Sequence, residues 1–239
     1  MKKLASLLAA VAFAAIAMTG SAFGATYNYG ETNGLFMYYS NSGSGSVSAD
    51  WGTLNSDNST STAGLGTFKL TFTGAGDYKA GAYLDMEIDQ YVNSWWNETG
   101  IAHNTAAQDA RLSWQFLAPL VGDPIDLNPL LNLDNSILAG PADMAVALLW
   151  NFSLTAGQKA TITFNSKTAA PEAGFFLQQY DNGILDGEQL SDPASVFFSS
   201  SISVTNIDNN NPVPEPSTIV LLGAGLASLG LYARRRNKN

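Results

Sequence analysis

The pattern that organises most of this chain is alternation of apolar and polar positions in short runs separated by turns. In 67–73, Phe68, Leu70 and Phe72 face one way and Thr67, Lys69, Thr71 and Thr73 the other, the period of a half-buried strand. Segment 82–89 alternates too. Ala82, Leu84, Met86 and Ile88 pack inward, and Tyr83, Asp85, Glu87 and Asp89 line an outward, solvated face. In 159–165, Ala160, Ile162 and Phe164 form the apolar set. Segment 111–117 does the same with Leu112, Trp114 and Phe116. Segment 196–204 places Val196, Phe198, Ile202 and Val204 inward and its serines outward. Segment 144–154 is apolar almost throughout, as a central strand buried on both faces would be. Segments 27–39 (an edge strand), 47–54 and 174–180 complete the strand set.

Turn signals separate these runs: Gly74 to Asp77, Asp181-Asn182-Gly183 and the acidic loop Asp186-Gly187-Glu188. Segment 92–100 has no clear period and is expected as a short helix or irregular stretch. Segment 118–141 holds Pro119, Pro124, Pro129 and Pro141 and forms a long connection. Within it, Asn128 as cap and Pro129 at the first helical position predict one short helix through Leu133. No strand–helix–strand alternation appears. About eight or nine strands predict an all-β fold, an antiparallel β-sandwich of jelly-roll or immunoglobulin-like type.

Both ends break this pattern. Lys2 and Lys3 precede an apolar run over 4–18, with Ala22 and Gly24 as small residues before Ala25. That is the layout of a signal peptide, 1–24, cleaved between Gly24 and Ala25. At the other end, 206–213 is a polar linker after a domain spanning 25–205. Pro214-Glu215-Pro216 follows, then an uncharged run over 217–233, then Arg234, Arg235, Arg236 and Lys238 in the basic tail 234–239. At about 1.5 Å per residue this run makes a marginal transmembrane helix of roughly 25 Å. The cations after it hold the C-terminus in the cytoplasm.

Charge and composition sharpen the picture. The chain has a net charge of −9, but six of its 11 cations are terminal. Segment 25–213 carries 5 Lys and Arg against 19 Asp and Glu, a net charge of −14. Such a surface repels phosphate backbones, so nucleic acid is not expected as a partner. There is no cysteine, which excludes disulfides, thiol catalysis and thiolate metal sites. His103, in the polar stretch 102–108, is the only histidine, so multi-histidine zinc chemistry is excluded as well.

Three constellations remain. Glu87, Asp89 and Glu98 hold the residue types of a glycosidase acid and base, although carboxylates sharing a strand face are more often solvated. Asp85, Glu87 and Asp89, with Asp181, Asp186 and Glu188, offer oxygen ligands to calcium, but neither segment has EF-hand spacing. Trp95 and Trp96, beside Asn97, make an aromatic platform of the kind that stacks on sugar rings. Trp114 and Trp150 fall on core positions. No catalytic residue is assigned, and the chain is not expected to be an enzyme.

The tail supplies a family resemblance. Pro214-Glu215-Pro216, a short apolar helix and an arginine cluster, in that order, resemble the PEP-CTERM sorting signal. The resemblance implies export, a membrane-anchored precursor, processing by an exosortase near the tripeptide, and delivery to the cell surface or exterior. It further implies a structural or adhesive role alongside exopolysaccharide in a biofilm. Two internal blocks, 82–89 with the following Trp-Trp-Asn-Glu, and 143–162 with its Asn-Phe-Ser-Leu-Thr-Ala-Gly turn, resemble an extracellular domain recurrent in such proteins. That likeness supports the sandwich and carries over no site.

Overall fold

The computed structural model of the protein describes residues 27–29, 35–42, 45–56, 60–92, 94, 96–120 and 129–207. The expected signal peptide, the linker beyond residue 207, the C-terminal helix and basic tail, the tripeptide Pro214-Glu215-Pro216, and Trp95 all lie outside them. Among the described residues no helix is long and apolar enough to cross a membrane.

The alternating segments become strands. In chain order they are β1 (Tyr27–Tyr29), β2 (Leu35–Asn41), β3 (Ser46–Asp50), β4 (Gly66–Thr73), β5 (Gly76–Ile88), β6 (Glu98–His103) and β7 (Leu112–Leu117). There follow β8 (Ser136–Ile137), β9 (Ala145–Leu154), β10 (Gln158–Lys167), β11 (Phe176–Asp181), β12 (Ile184–Leu185), β13 (Glu188–Gln189) and β14 (Ala194–Asn206). They form two six-stranded sheets. In the first, β1 and β2 lie in tandem along one edge of β5, followed by β9, β7 and β8; the second runs β3-β4-β10-β14-β11-β6. All pairings are antiparallel except that of β7 with β8. The acidic loop is a separate hairpin of β12 and β13. Its turn residues Asp186 and Gly187 have φ of 53° and 88°, the left-handed pair that a two-residue hairpin turn demands.

The two sheets face each other across one core, as a sandwich requires. Phe68, Leu70 and Phe72 of β4, Ile162 and Phe164 of β10, and Val196 and Phe198 of β14 meet Leu84 and Met86 of β5, Leu148 and Trp150 of β9, and Trp114 and Phe116 of β7. Phe68 and Phe164, cross-strand partners, stack with centroids 5.1 Å apart. Trp114 and Trp150 are buried, as their strand positions predict.

A second apolar cluster lies on the outer face of the first sheet. There Tyr38, Tyr83, Ala145, Ala147 and Leu149 are covered by Leu130, with Leu117, Leu120, Leu131 and Leu133 packed around it. The long connection after β7 therefore acts as a third layer. This is why β9 is apolar on both faces.

One expectation is corrected directly, in part by that third layer, which covers Tyr83. The outward set of β5, Tyr83, Asp85, Glu87 and Asp89, is buried rather than solvated. Three smaller corrections follow from the register. The short helix is a 3₁₀ turn, Pro129–Leu131. His103 closes β6 instead of sitting in a loop, opposite Phe176. Val204 is exposed, because β11 pairs with β14 only from Ala194 to Phe198 and leaves the far part of β14 as a sheet edge.

Candidate functional site

The first sheet changes character at the end of β5. Register with β9 stops at Asp85 opposite Ala145, and beyond it only β1 pairs with Met86 to Ile88. On the side that β9 has left, two side chains take over the strand's hydrogen bonds. The Ile88 N–H donates to Glu98 Oε1 at 3.0 Å. The Gln179 amide Nε2 donates to the Met86 carbonyl and to Glu98 Oε2 at 2.6 Å. A buried backbone group left without a partner is costly, so a glutamate from β6 and a glutamine from β11 serve here as a substitute strand.

Both residues stand on inward positions of the second sheet. Along β11 the inward set runs Leu177, Gln179, Asp181; along β6 it runs Ala102, Gly100, Glu98. The core thus turns from apolar to polar at this end. Asp181, opposite Glu98 in register, accepts from Asn97 Nδ2 at 3.1 Å and from the Gly183 N–H at 2.7 Å. The backbones of Glu98 and Ala142 exchange two hydrogen bonds, 3.2 and 3.0 Å. That bridge fixes the segment that leads into β9 and carries Asp143.

Asp143 completes the site. One carboxylate oxygen from each of Asp85, Glu87 and Asp143 lies within 4.8 Å of the others. Asp85 and Glu87 are each 3% exposed, and Glu98 is 0% exposed. Burial, then the Glu87 charge, push the Glu98 carboxyl well above the usual carboxylate range; the Ile88 and Gln179 hydrogen bonds oppose this, and Asp143 adds to it. Tyr83, whose hydroxyl accepts from the Leu120 N–H at 2.8 Å, has its own ionisation pushed up first by burial and then by Asp85.

The chain has no Lys or Arg between Lys79 and Arg111, between Arg111 and Lys159, or between Lys167 and Arg234. The one cation on β5, Lys79, lies six residues before Asp85 and donates to the Leu131 carbonyl at 2.8 Å. Among the described residues the one ion pair is Arg111 with Asp109, 2.7 Å apart and half exposed. Arg111 belongs to the opposite end of the first sheet, where its guanidinium lies over Trp150. The three carboxylates offer oxygen donors only, the ligand type of hard cations, as acidic clusters often do.

The structure sorts the sequence candidates. Asp85 and Glu87 come together with each other and with Asp143, which the sequence reading left out. Asp89 is buried nearby but is not one of the three. Asp181 is drawn into the Asn97 network. Asp186 and Glu188 are exposed on the β12–β13 hairpin and do not join. Glu98, offered as half of an acid and base pair with Glu87 or Asp89, is sealed in the interior and holds the β5 edge. His103 stacks on Phe176 at 4.6 Å and bonds Gln178 Oε1 at 2.7 Å, which makes it a packed strand residue. Trp96 is 51% exposed, while its neighbour Asn97 is buried. Gln179 and Asp143 were missed. The signal for Gln179 was a polar residue in phase with Leu177; for Asp143 it was a lone acid just before the apolar run of β9.

No curated protein and no solved structure matches the chain. One family model does, describing the PEP-CTERM protein-sorting motif and matching residues 212–236. Those residues hold the Pro-Glu-Pro tripeptide, the apolar run and the three arginines. The chain therefore carries a PEP-CTERM sorting motif, the signal that directs a protein for export and sorting by an exosortase to the cell surface.

Proposed function

We propose that this is a bacterial cell-surface or extracellular-matrix protein with a structural, adhesive role, working alongside exopolysaccharide in a biofilm. The observation that carries the proposal is the sorting motif at 212–236. In this scheme residues 217–233 hold a precursor in the membrane, an exosortase acts near Pro214-Glu215-Pro216, and the sandwich is released to the surface. Two features support a structural rather than a chemical task. Glu98 bonds backbone instead of facing solvent, and His103 is spent on packing. The exported segment's charge of −14 suits a hydrated, polyanionic setting.

A second reading is a carbohydrate-binding module that uses Trp95 and Trp96. The exposed indole of Trp96 favours it, since an aromatic face beside polar groups stacks on the apolar face of a sugar. One experiment separates the two. Native and Trp96→Ala proteins are exported from the same cells, and retention in the washed exopolysaccharide fraction is measured. Retention of both supports the matrix role without the platform. Loss for Trp96→Ala alone supports the carbohydrate module. Free release of the native protein into the medium contradicts both.

A further inference from the structure

We propose that the outer face of the second sheet, at the cleft between β10, β14 and the connection after β10, binds an acidic, carboxylate-bearing polysaccharide. The proposal rests on the exopolysaccharide reading above and names the class of polymer. Three observations carry it. The first is where the cations stand. Segment 25–213 has five Lys and Arg against 19 acids. Three of the five, Lys69, Lys159 and Lys167, occupy outward positions of this one sheet, out of phase with the inward Phe68, Ala160 and Phe164. All three are exposed, and none belongs to the one ion pair among the described residues. The outward positions of the six strands carry one acid, Asp50, whose Oδ1 accepts from the Gly52 N–H at 3.0 Å. Lys69 pairs with Thr163, midway between Lys159 and Lys167, so the cations follow one line at intervals of about 13 Å. The second observation is the cleft. At the Lys167 end, the connection after β10 stands beside the face and bounds a cleft of about 300 Å³. Asn165, Lys167, Phe197 and Ser199 line its sheet side, and Pro171 and Glu172 the other. Lys167 and Phe197 are cross-strand partners, as are Asn165 and Ser199. These are the groups an acidic sugar needs: a cation for its carboxylate, an aromatic ring for its apolar face, an amide and a hydroxyl for its own hydroxyls. A second cleft, of about 370 Å³, adjoins the first and shares Asn165, Pro171 and Ser199 with it, which gives a track for a polymer. The third observation is the surface between the lysines. Thr71, Thr161 and Ser203 form one cross-strand row, and Thr163 with Ser201 another. Short hydroxyl side chains keep the face flat and lose little entropy when a ligand orders them.

Charge selects the class of ligand. Three lysines against Asp50 and Glu172 leave the face and its cleft at +1, on a segment whose net charge is −14. An anionic polymer is repelled by the rest of that surface and attracted here, which sets its orientation as well as its affinity. Glu172, on the far wall, accepts from sugar hydroxyls. An anionic membrane is the less suited partner, because membrane-surface binding sets apolar side chains beside the cations to enter the bilayer, and the lysine side of this face presents hydroxyls.

The test uses the exported protein recovered from its cells, in calcium-free buffer. Its mobility is followed in native gels cast with alginate, a polyuronate, or with dextran, a neutral glucan. The expected result is retardation by alginate and not by dextran, fading as salt rises. Lys167→Gln should weaken the apparent affinity about tenfold, and Lys167→Arg should retain it. Lys69→Gln, Lys159→Gln and Lys167→Gln together should abolish it. The three side chains are exposed, so each variant should keep the native Tm, which separates lost binding from lost folding. Retardation that survives the triple change would overturn the proposal, as would equal retardation by dextran. So would lysine-dependent binding to phosphatidylglycerol vesicles, which would assign the face to a membrane. If alginate fails to retard a native protein that stays in the washed exopolysaccharide fraction of its cells, the binding face is overturned and the matrix role stands. If that protein is also released into the medium, both fall.

Discussion

Glu98 shows how one residue at this end is asked to do two opposed things. Its carboxylate accepts from the Ile88 N–H and from Gln179, which favours the charged form, while burial and the facing charges of Glu87 and Asp143 disfavour it more. Across the strand pair stands Asp181. The folded-state carboxyl therefore holds its proton at a pH where the unfolded chain has released it. A group raised in this way contributes stability that is fully present below its unfolded value, and that stability is lost as pH rises through the folded value. In chelator, the native protein should melt at higher temperature near pH 5 than near pH 7, by an amount that Glu98→Gln removes. The amide keeps an acceptor for the Ile88 N–H, so the variant should still fold. A melting profile of the same slope in both proteins would show that Glu98 is not the group responsible. None of this was legible from residue order. Glu98 follows a segment without period, and its partners come from β5 and β11.

At the scale of elements, the legible strands were those with one apolar face. The runs in β4 and β10 alternate because one side packs on the core and the other is partly exposed, and their cross-strand register follows that phase. Two elements were harder for opposite reasons. β5 alternates cleanly, and the core face was read correctly. Its polar face gave no sign that it would be buried, Tyr83 beneath Leu130 and the three acids at the strand's end. Alternation reports which residues share a side, not what lies above that side. β6 barely alternates at all, because its inward positions are Glu98, Gly100 and Ala102. Gly100 is small for a reason: a Cβ there would meet the Phe116 ring at 2.6 Å. Gly100→Ala should cost about 1–3 kcal/mol by overpacking, read as a lower denaturant midpoint at unchanged slope. Combining it with Phe116→Leu should cost less than the sum of the two changes, since the second makes room for the first. Strict additivity would mean that the ring and the glycine do not limit each other.

At the scale of the whole molecule the chain divides into an address and a cargo. The address was legible because a sorting signal is read in linear order: tripeptide, apolar run, cations. The cargo's fold class was legible too, from strand periodicity and the absence of strand–helix alternation. The acidic cluster was only half legible. Asp85 and Glu87 share a strand, but Asp143 joins them through antiparallel pairing of β5 with β9, which brings together residues far apart in sequence. The central claim is that the tail is a processed sorting signal rather than a lasting anchor. The intact mass of the protein recovered from the surface of its own cells tests it most directly. The account predicts a mass that lacks residues 1–24 and everything beyond the Pro214-Glu215-Pro216 region. A mass that still includes Tyr232 and Arg234 to Arg236 would contradict it.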